Sequence, residues 1–127
     1  MAHRILIADD DPQILSMLGN YLQRMLGYQV VRVETGEAAL DAALTQEFHL
    51  CILDVRLPGI SGAETYARLK HTLPDIEAIF FTADHDFGSS MDFLRFSLPR
   101  ERVLVKPMTD WSSFTKLIIG ILGPPVA

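Results

Sequence analysis

Four short apolar stretches of this chain end on residues able to do chemistry. Leu50-Cys51-Ile52-Leu53 is an unbroken apolar run that stops on Asp54, and Arg4-Ile5-Leu6-Ile7-Ala8 stops on Asp9, Asp10 and Asp11. Residues 76–81 deliver Thr82, and residues 102–105 deliver Lys106, followed by Pro107. Taken one at a time, each of these is an ordinary turn residue or cap. Apolar runs of this length, however, suit strands buried on both faces of a parallel sheet. In such a sheet all the carboxyl ends share one edge, where open α/β folds place their ligands, so residues far apart in sequence converge. Three carboxylates crowded together repel one another and repel a phosphate. A hard divalent cation relieves both problems, and a few carboxylates with several waters is the usual arrangement for Mg²⁺. Lys106 adds a second positive charge and Thr82 a hydroxyl donor, a set able to hold a phosphoryl group on Asp54 while charge builds on its equatorial oxygens. A carboxylate is a competent covalent nucleophile for that transfer, giving an aspartyl phosphate.

The elements that must position these groups are legible in the spacing. Asp11 reads as an N-cap with Pro12 as first helical residue. Ile14, Leu15, Leu18, Leu22 and Met25 then recur at helical spacing to about Leu26, and Gly27 ends the helix. Gln29–Val33 is the second strand. Thr35-Gly36-Glu37 opens a second helix with Ala39, Leu40, Ala43 and Leu44 on its apolar face. After Asp54, Pro58, Gly59 and Gly62 shape a loop, and Ser61 with Glu64 three residues on is a capping box for a helix over residues 63–72. Residues 84–101 are the least regular part. A helix over residues 89–97 is expected there, kept short by Gly88 and Pro99. Thr109 or Asp110 caps the last helix, whose face carries Trp111, Phe114, Leu117, Ile118 and Ile121 before Gly123-Pro124-Pro125. Five strands alternating with five helices predict an α/β fold, a parallel sheet covered on both faces through right-handed crossovers, with residues 1–127 as one domain.

The totals narrow the function classes. At 49% apolar, the chain is too hydrophobic for a disordered one, yet no apolar run approaches the roughly 20 residues of a membrane helix. The acids at 9–11 interrupt any signal-peptide core, and Cys51 is the only cysteine, which rules out an internal disulfide or a cysteine metal cluster. A cytoplasmic location is expected, with no membrane contact. Net charge of −5 argues against direct nucleic-acid binding. His3, His49, His71 and His85 lack metal-ligand spacing and are expected at the surface, while Cys51 is expected in the core.

As an ordered set, Asp9, Asp10, Asp54, Pro58, Gly62, Thr82 with Ala83, and Lys106 with Pro107 resemble the receiver domain of bacterial two-component response regulators, from Ile5 to about Leu122. The resemblance implies a flavodoxin-like, doubly wound five-stranded sheet of order 2-1-3-4-5. It implies a phosphoacceptor at Asp54, with Thr82 and Lys106 assisting. Mg²⁺ is implied on Asp10, Asp54 and the backbone carbonyl of Arg56, with Asp9 acting partly through water. The Lys106-Pro107 bond is one that is often cis in the family. The implied partners are a histidine kinase or histidine phosphotransfer protein, and an output protein or domain. The face made by the fourth helix, fifth strand and fifth helix is the implied surface for dimerisation. Such a domain is not an enzyme beyond its own phosphorylation and dephosphorylation.

Two departures stand out. The family pairs its hydroxyl residue with an aromatic three positions before the lysine; here that position is Val103. The Gly-Ala turn before strand five is replaced by Ser97-Leu98-Pro99-Arg100-Glu101-Arg102. In the family, the residues two beyond the phosphoacceptor and two beyond the hydroxyl residue flank the path of the attacking water; here they are Arg56 and Asp84, whose opposite charges can pair across the mouth of the site and obstruct it. A receiver-like adaptor that binds its partner independently of phosphorylation is the rival reading, favoured by Val103 and opposed by the full set of site residues. A dehalogenase-type phosphatase fits less well, because Gln13 stands two beyond Asp11 and little room remains for a cap domain. Gly59-Ile60-Ser61-Gly62 fails the G-x-S-x-G nucleophile elbow at Ala63, and an acidic first loop does not suit FMN.

Overall fold

The structure, a computed structural model, describes residues 3–125. Five strands form one sheet in the order β2-β1-β3-β4-β5, all pairs parallel. They are β1 Arg4–Ala8, β2 Gln29–Val33, β3 Leu50–Leu53, β4 Glu77–Thr82 and β5 Val103–Val105. The helices are α1 Pro12–Asn20, α2 Gly36–Thr45, α3 Gly62–Thr72, α4 Met91–Leu94 and α5 Trp111–Leu122. The order 2-1-3-4-5 is that of the flavodoxin-like fold expected above. It places β1 and β3 side by side at the centre, so that the strands ending on Asp9 and Asp54 are neighbours.

Period-two alternation along each strand feeds two cores, one on each face of the sheet. Leu6, Ala8, Cys51, Leu53, Ala78 and Phe80 point to the side of α2 and α3. Ile5, Ile7, Leu50, Ile52, Ile79 and Phe81 point to the side of α1 and α5. Cys51 is fully buried, as expected. The central strand β3 is apolar and buried throughout because both faces are covered there. Among the described residues, no helix is long and apolar enough to cross a membrane.

Several boundaries differ from the spacing, each for a physical reason. The first helix is α-helical only to Asn20 and continues as a π-helical turn over Tyr21–Met25. The guanidinium of Arg32 on β2 lies against Gly19, where any Cβ would collide with it, and donates to the Leu15 carbonyl at 3.2 Å. Arg32 thus packs against the turn that precedes the π-helical segment. The fourth helix is only Met91–Leu94, not residues 89–97. Ser90 caps it, and Ser97 at φ 55° ends the segment in the left-handed region. Strand five begins at Val103 because Arg102 closes a 3₁₀ turn and donates to Glu77 and Ala78 on β4. The capping box at α3 forms by half. Ser61 Oγ accepts from the Glu64 N–H at 3.1 Å, while the Glu64 carboxylate turns to Arg68. Asp110, not Thr109, caps α5. Of the histidines, His71 and His85 are exposed. His3 and His49 are instead half-buried and meet edge to face at 5.1 Å, with His49 Nδ1 accepting the Arg4 N–H.

Candidate functional site

The last rungs of the sheet fix the backbone of each site residue. Asp9 N–H donates to the Val33 carbonyl, Asp54 N–H to Ala8 and Lys106 N–H to Thr82, at 3.1, 3.0 and 2.8 Å. The strand ends therefore hold their polar residues in register with one another. The loop after Asp54 folds back tightly: a Cβ on Gly62 would lie 2.1 Å from the Asp54 carbonyl oxygen, so only glycine permits the approach. The Lys106-Pro107 peptide is cis.

Side chains meet where these ends meet. Lys106 Nζ donates to Asp9 Oδ2 at 2.8 Å and to Asp54 Oδ2 at 3.1 Å, bridging the two central strands from the far side of β4. Asp9 is 2% exposed and Asp54 9%, whereas Asp10 is open to solvent. One carboxylate oxygen from each of Asp9, Asp10 and Asp54 lies within 4.8 Å of the other two. The other oxygen of Asp9 accepts the Asp11 N–H at 2.9 Å, which fixes its rotamer. Asp54 Oδ1 faces the Arg56 N–H at 3.4 Å. These are hard oxygen donors, few in number and partly open to water, which fits a small divalent cation of the Mg²⁺ kind better than a soft metal.

The charges are strongly coupled. Burial raises the Asp9 pKa, and the hydrogen bonds from Lys106 and the Asp11 amide only partly oppose it. Burial alone would lower Lys106, but its hydrogen bonds and charge contacts with Asp9 and Asp54 outweigh that and hold it above its ordinary value. The site thus sets one ammonium between two acidic side chains.

Of the other predicted residues, Thr82 is buried at the end of β4, and its Oγ1 accepts the Asp84 N–H at 3.1 Å. Asp84 turns its own carboxylate to the Asp86 N–H at 2.9 Å. The side chain of Arg56 is exposed, and an Arg56–Asp84 ion pair is not among those formed by the described residues. Val103 is half-buried opposite Phe80 and packs on the core beneath α4. Sequence reasoning passed over Phe81, whose ring lies 5.5 Å beneath Lys106 Nζ and gives the ammonium an apolar floor. Its place next to Thr82 in a buried strand was the available signal.

Comparison with known proteins decides the family. The model of the response regulator receiver domain matches residues 5–116. The chain belongs to that family. The receiver domain is 39% identical over 85 residues to the transcriptional activator protein ExaE of Pseudomonas putida, covering 66% of this chain and 40% of ExaE. It is 32% identical over 110 residues to the alkaline phosphatase synthesis transcriptional regulatory protein PhoP of Bacillus subtilis, covering 86% of this chain and 44% of PhoP. It thus spans well under two thirds of either relative. Among solved structures it is similar to the response regulator protein TrrA from Thermotoga maritima in complex with Mg(2+)-BeF. The TM-score is 0.79 at 28% identity, over 94% of this chain and 98% of that one.

Proposed function

We propose that this receiver domain accepts a phosphoryl group on Asp54 and that the modified form changes which partner it binds. The observation that carries the reading is the bridge of Lys106 Nζ to both Asp9 and Asp54, with Asp10 completing the carboxylate set. The donor is a phosphohistidine on a histidine kinase or phosphotransfer protein. A carboxylate oxygen of Asp54 forms the new P–O bond as the P–N bond to the donor imidazole breaks, and the imidazole leaves and takes up a proton. Asp9, Asp10, Asp54 and the backbone carbonyl of Arg56 would hold Mg²⁺, which supplies positive charge for the phosphoryl oxygens. Lys106 already sits against Asp54 and neutralises the charge that builds on the transferred group. The Thr82 hydroxyl, with its acceptor side taken by the Asp84 amide, has its proton free to donate. The complex structure of TrrA with Mg(2+)-BeF supports this assignment by likeness.

The domain acts in the cytoplasm through a protein partner or an attached output domain, and it serves regulation rather than turnover of a substrate. The test is intact-mass measurement after incubation with acetyl phosphate and Mg²⁺. The wild type gains one phosphoryl group and Asp54→Asn gains none. Equal incorporation by both proteins would overturn the assignment of Asp54. An output complex that forms equally with wild type and Asp54→Asn, with or without phosphodonor, would favour the phosphate-independent adaptor.

A further inference from the structure

The loop from Asp54 to Ser61 carries one half of the site, and it is held at two places. Its neck is closed by the Gly62 N–H donating to the Val55 carbonyl at 2.8 Å and by the close approach of Gly62 to the Asp54 carbonyl. Leu57 anchors one flank in the core. Its tip, Gly59–Ile60, is reached from outside by a single side-chain hydrogen bond among the described residues: Glu37 Oε2 accepts the Ile60 N–H at 3.4 Å. Glu37 lies in the first turn of α2, on a different crossover of the fold. Its carboxylate is pressed against Gly59, where a Cβ would stand 2.5 Å from Oε2 and 2.8 Å from Oε1. Gly59 is also at φ 78°, so the tip has both the conformation and the bare surface that admit the carboxylate. Next to it, Gly36 lies against Thr65 Oγ1 and the Ile60 side chain so closely that a Cβ would collide with both. The start of α2 and the tip of the loop are therefore fitted to each other.

We propose that Glu37 is a positioning residue for the phosphorylation site, a clamp that holds the Asp54–Ser61 loop in the conformation that presents the Arg56 backbone to Asp54. The consequence for the metal rests on the phosphoacceptor reading; the clamp itself does not. A loop already held in place loses less conformational freedom when its carbonyl takes up a cation, so the clamp tightens cation binding from a distance. Glu37 touches neither phosphate nor metal.

Two measurements on the full chain test this, with Glu37→Ala and Glu37→Gln compared to wild type. The first is amide hydrogen exchange in the presence of chelator. Loss of a hydrogen bond to a charged acceptor should speed exchange at Ile60 and Arg56 by about tenfold in Glu37→Ala, while amides in the last turns of α2 keep their protection. The second is calorimetric titration with Mg²⁺. Glu37→Ala should weaken binding about fivefold, and Glu37→Gln, which keeps an acceptor for the Ile60 N–H, should recover most of that loss. If the glutamine variant binds Mg²⁺ as weakly as the alanine variant, the effect is one of net charge and the clamp is wrong. Unchanged exchange at Ile60, or equal acceleration along all of α2, would also overturn it. A wild type that takes up no Mg²⁺ would overturn the metal part of the phosphoacceptor reading, and the exchange data would still decide the clamp.

Discussion

Replacing Lys106 by methionine keeps an unbranched chain out to the Cε position and removes the ammonium, with its charge and its donors. In the wild type the ammonium stands 2.8 Å from Asp9 and 3.1 Å from Asp54. At an effective dielectric constant near 20, each contact is worth roughly 5 kcal/mol before desolvation is counted. Breaking a buried pair by removing one partner costs about 3–5 kcal/mol, against less than about 1 kcal/mol for an exposed one. The side chains of Lys106, Asp9 and Asp54 are 19%, 3% and 11% exposed, which puts this cluster nearer the buried limit. We therefore expect Lys106→Met to lose about 2–3 kcal/mol in chelator at pH 7. For a domain of this size that lowers Tm by about 10 °C. Ligand at 100 times its Kd returns about 2.7 kcal/mol, and without a competing ammonium the variant should bind Mg²⁺ more tightly than the wild type. The gap in Tm should accordingly narrow when Mg²⁺ is added.

The pH dependence has a definite sign. Lys106 is raised above its ordinary value of 10.5, so its contribution is complete below that value and is lost as pH rises through the raised one. That alkaline loss should vanish in Lys106→Met. Asp9 is raised from 3.8, so the native state holds its proton more tightly, and stability falls as pH rises through the window above 3.8. Removing Lys106 takes away its strongest opposing contact and makes that fall steeper. Circular dichroism melts from pH 4 to 11 read both effects. A Tm within about 2 °C of wild type in chelator at pH 7 would refute the reasoning.

Asp10→Ala should weaken Mg²⁺ binding at least about tenfold while leaving the Lys106 bridge intact; equal amide shift changes on Mg²⁺ titration in variant and wild type would show that Asp10 is not a ligand. Amides of residues 84–101 should exchange at least about tenfold faster than those of α1, because only four of these residues are α-helical and Met91 is 78% exposed; equal protection would contradict this. Asp84 Oδ1 is engaged with the Asp86 amide here, so pairing with Arg56 in the phosphorylated state falls to its other oxygen. If the pair forms and screens the phosphorus from water, Arg56→Ala and Asp84→Ala should each speed loss of phosphate, with the double variant no faster than either. Additive rates, or none changed, would dispose of the gate.

The sheet and the acid-lysine set were legible because each is written locally. Buried parallel strands are short unbroken apolar runs, and the fold sends every strand end to one edge, so Asp9, Asp54 and Lys106 could be brought together without knowledge of a single tertiary contact. What was not legible depends on contacts between elements. The π-helical turn at Tyr21–Met25 follows an unbroken helical period, and the guanidinium packed against the preceding turn comes from Arg32, on a different element. The true start of β5 is set by Arg102 reaching to Glu77. Nothing in the spacing of Glu37 singles it out from any acid in a first helical turn.

The missing aromatic at position 103 shows how a local departure has a non-local answer. Read alone, Val103 suggests a lost switch. In the structure it stands opposite Phe80, and the Phe80 ring is surrounded by Tyr66, Phe87, Phe93 and Phe96 at centroid distances of 4.9–6.1 Å. Phe87 comes from the segment that joins Thr82 to α4 and Phe93 from α4 itself, and both are buried. The segment has little regular helix, yet these rings fasten it to β4. Its shape is therefore set by side-chain packing more than by backbone propensity, which is why helical spacing overstated α4. Aromatic mass enters this core from the loop side rather than from β5, where Val103 stands opposite Phe80 and packs on the same cluster. The same arrangement makes Thr82 and Phe87 the two ends of one turn: the Thr82 hydroxyl accepts the Asp84 amide, and the Asp84 carbonyl accepts the Phe87 amide at 3.3 Å. Any movement of the Thr82 hydroxyl toward a group on Asp54 must therefore be accommodated in that turn.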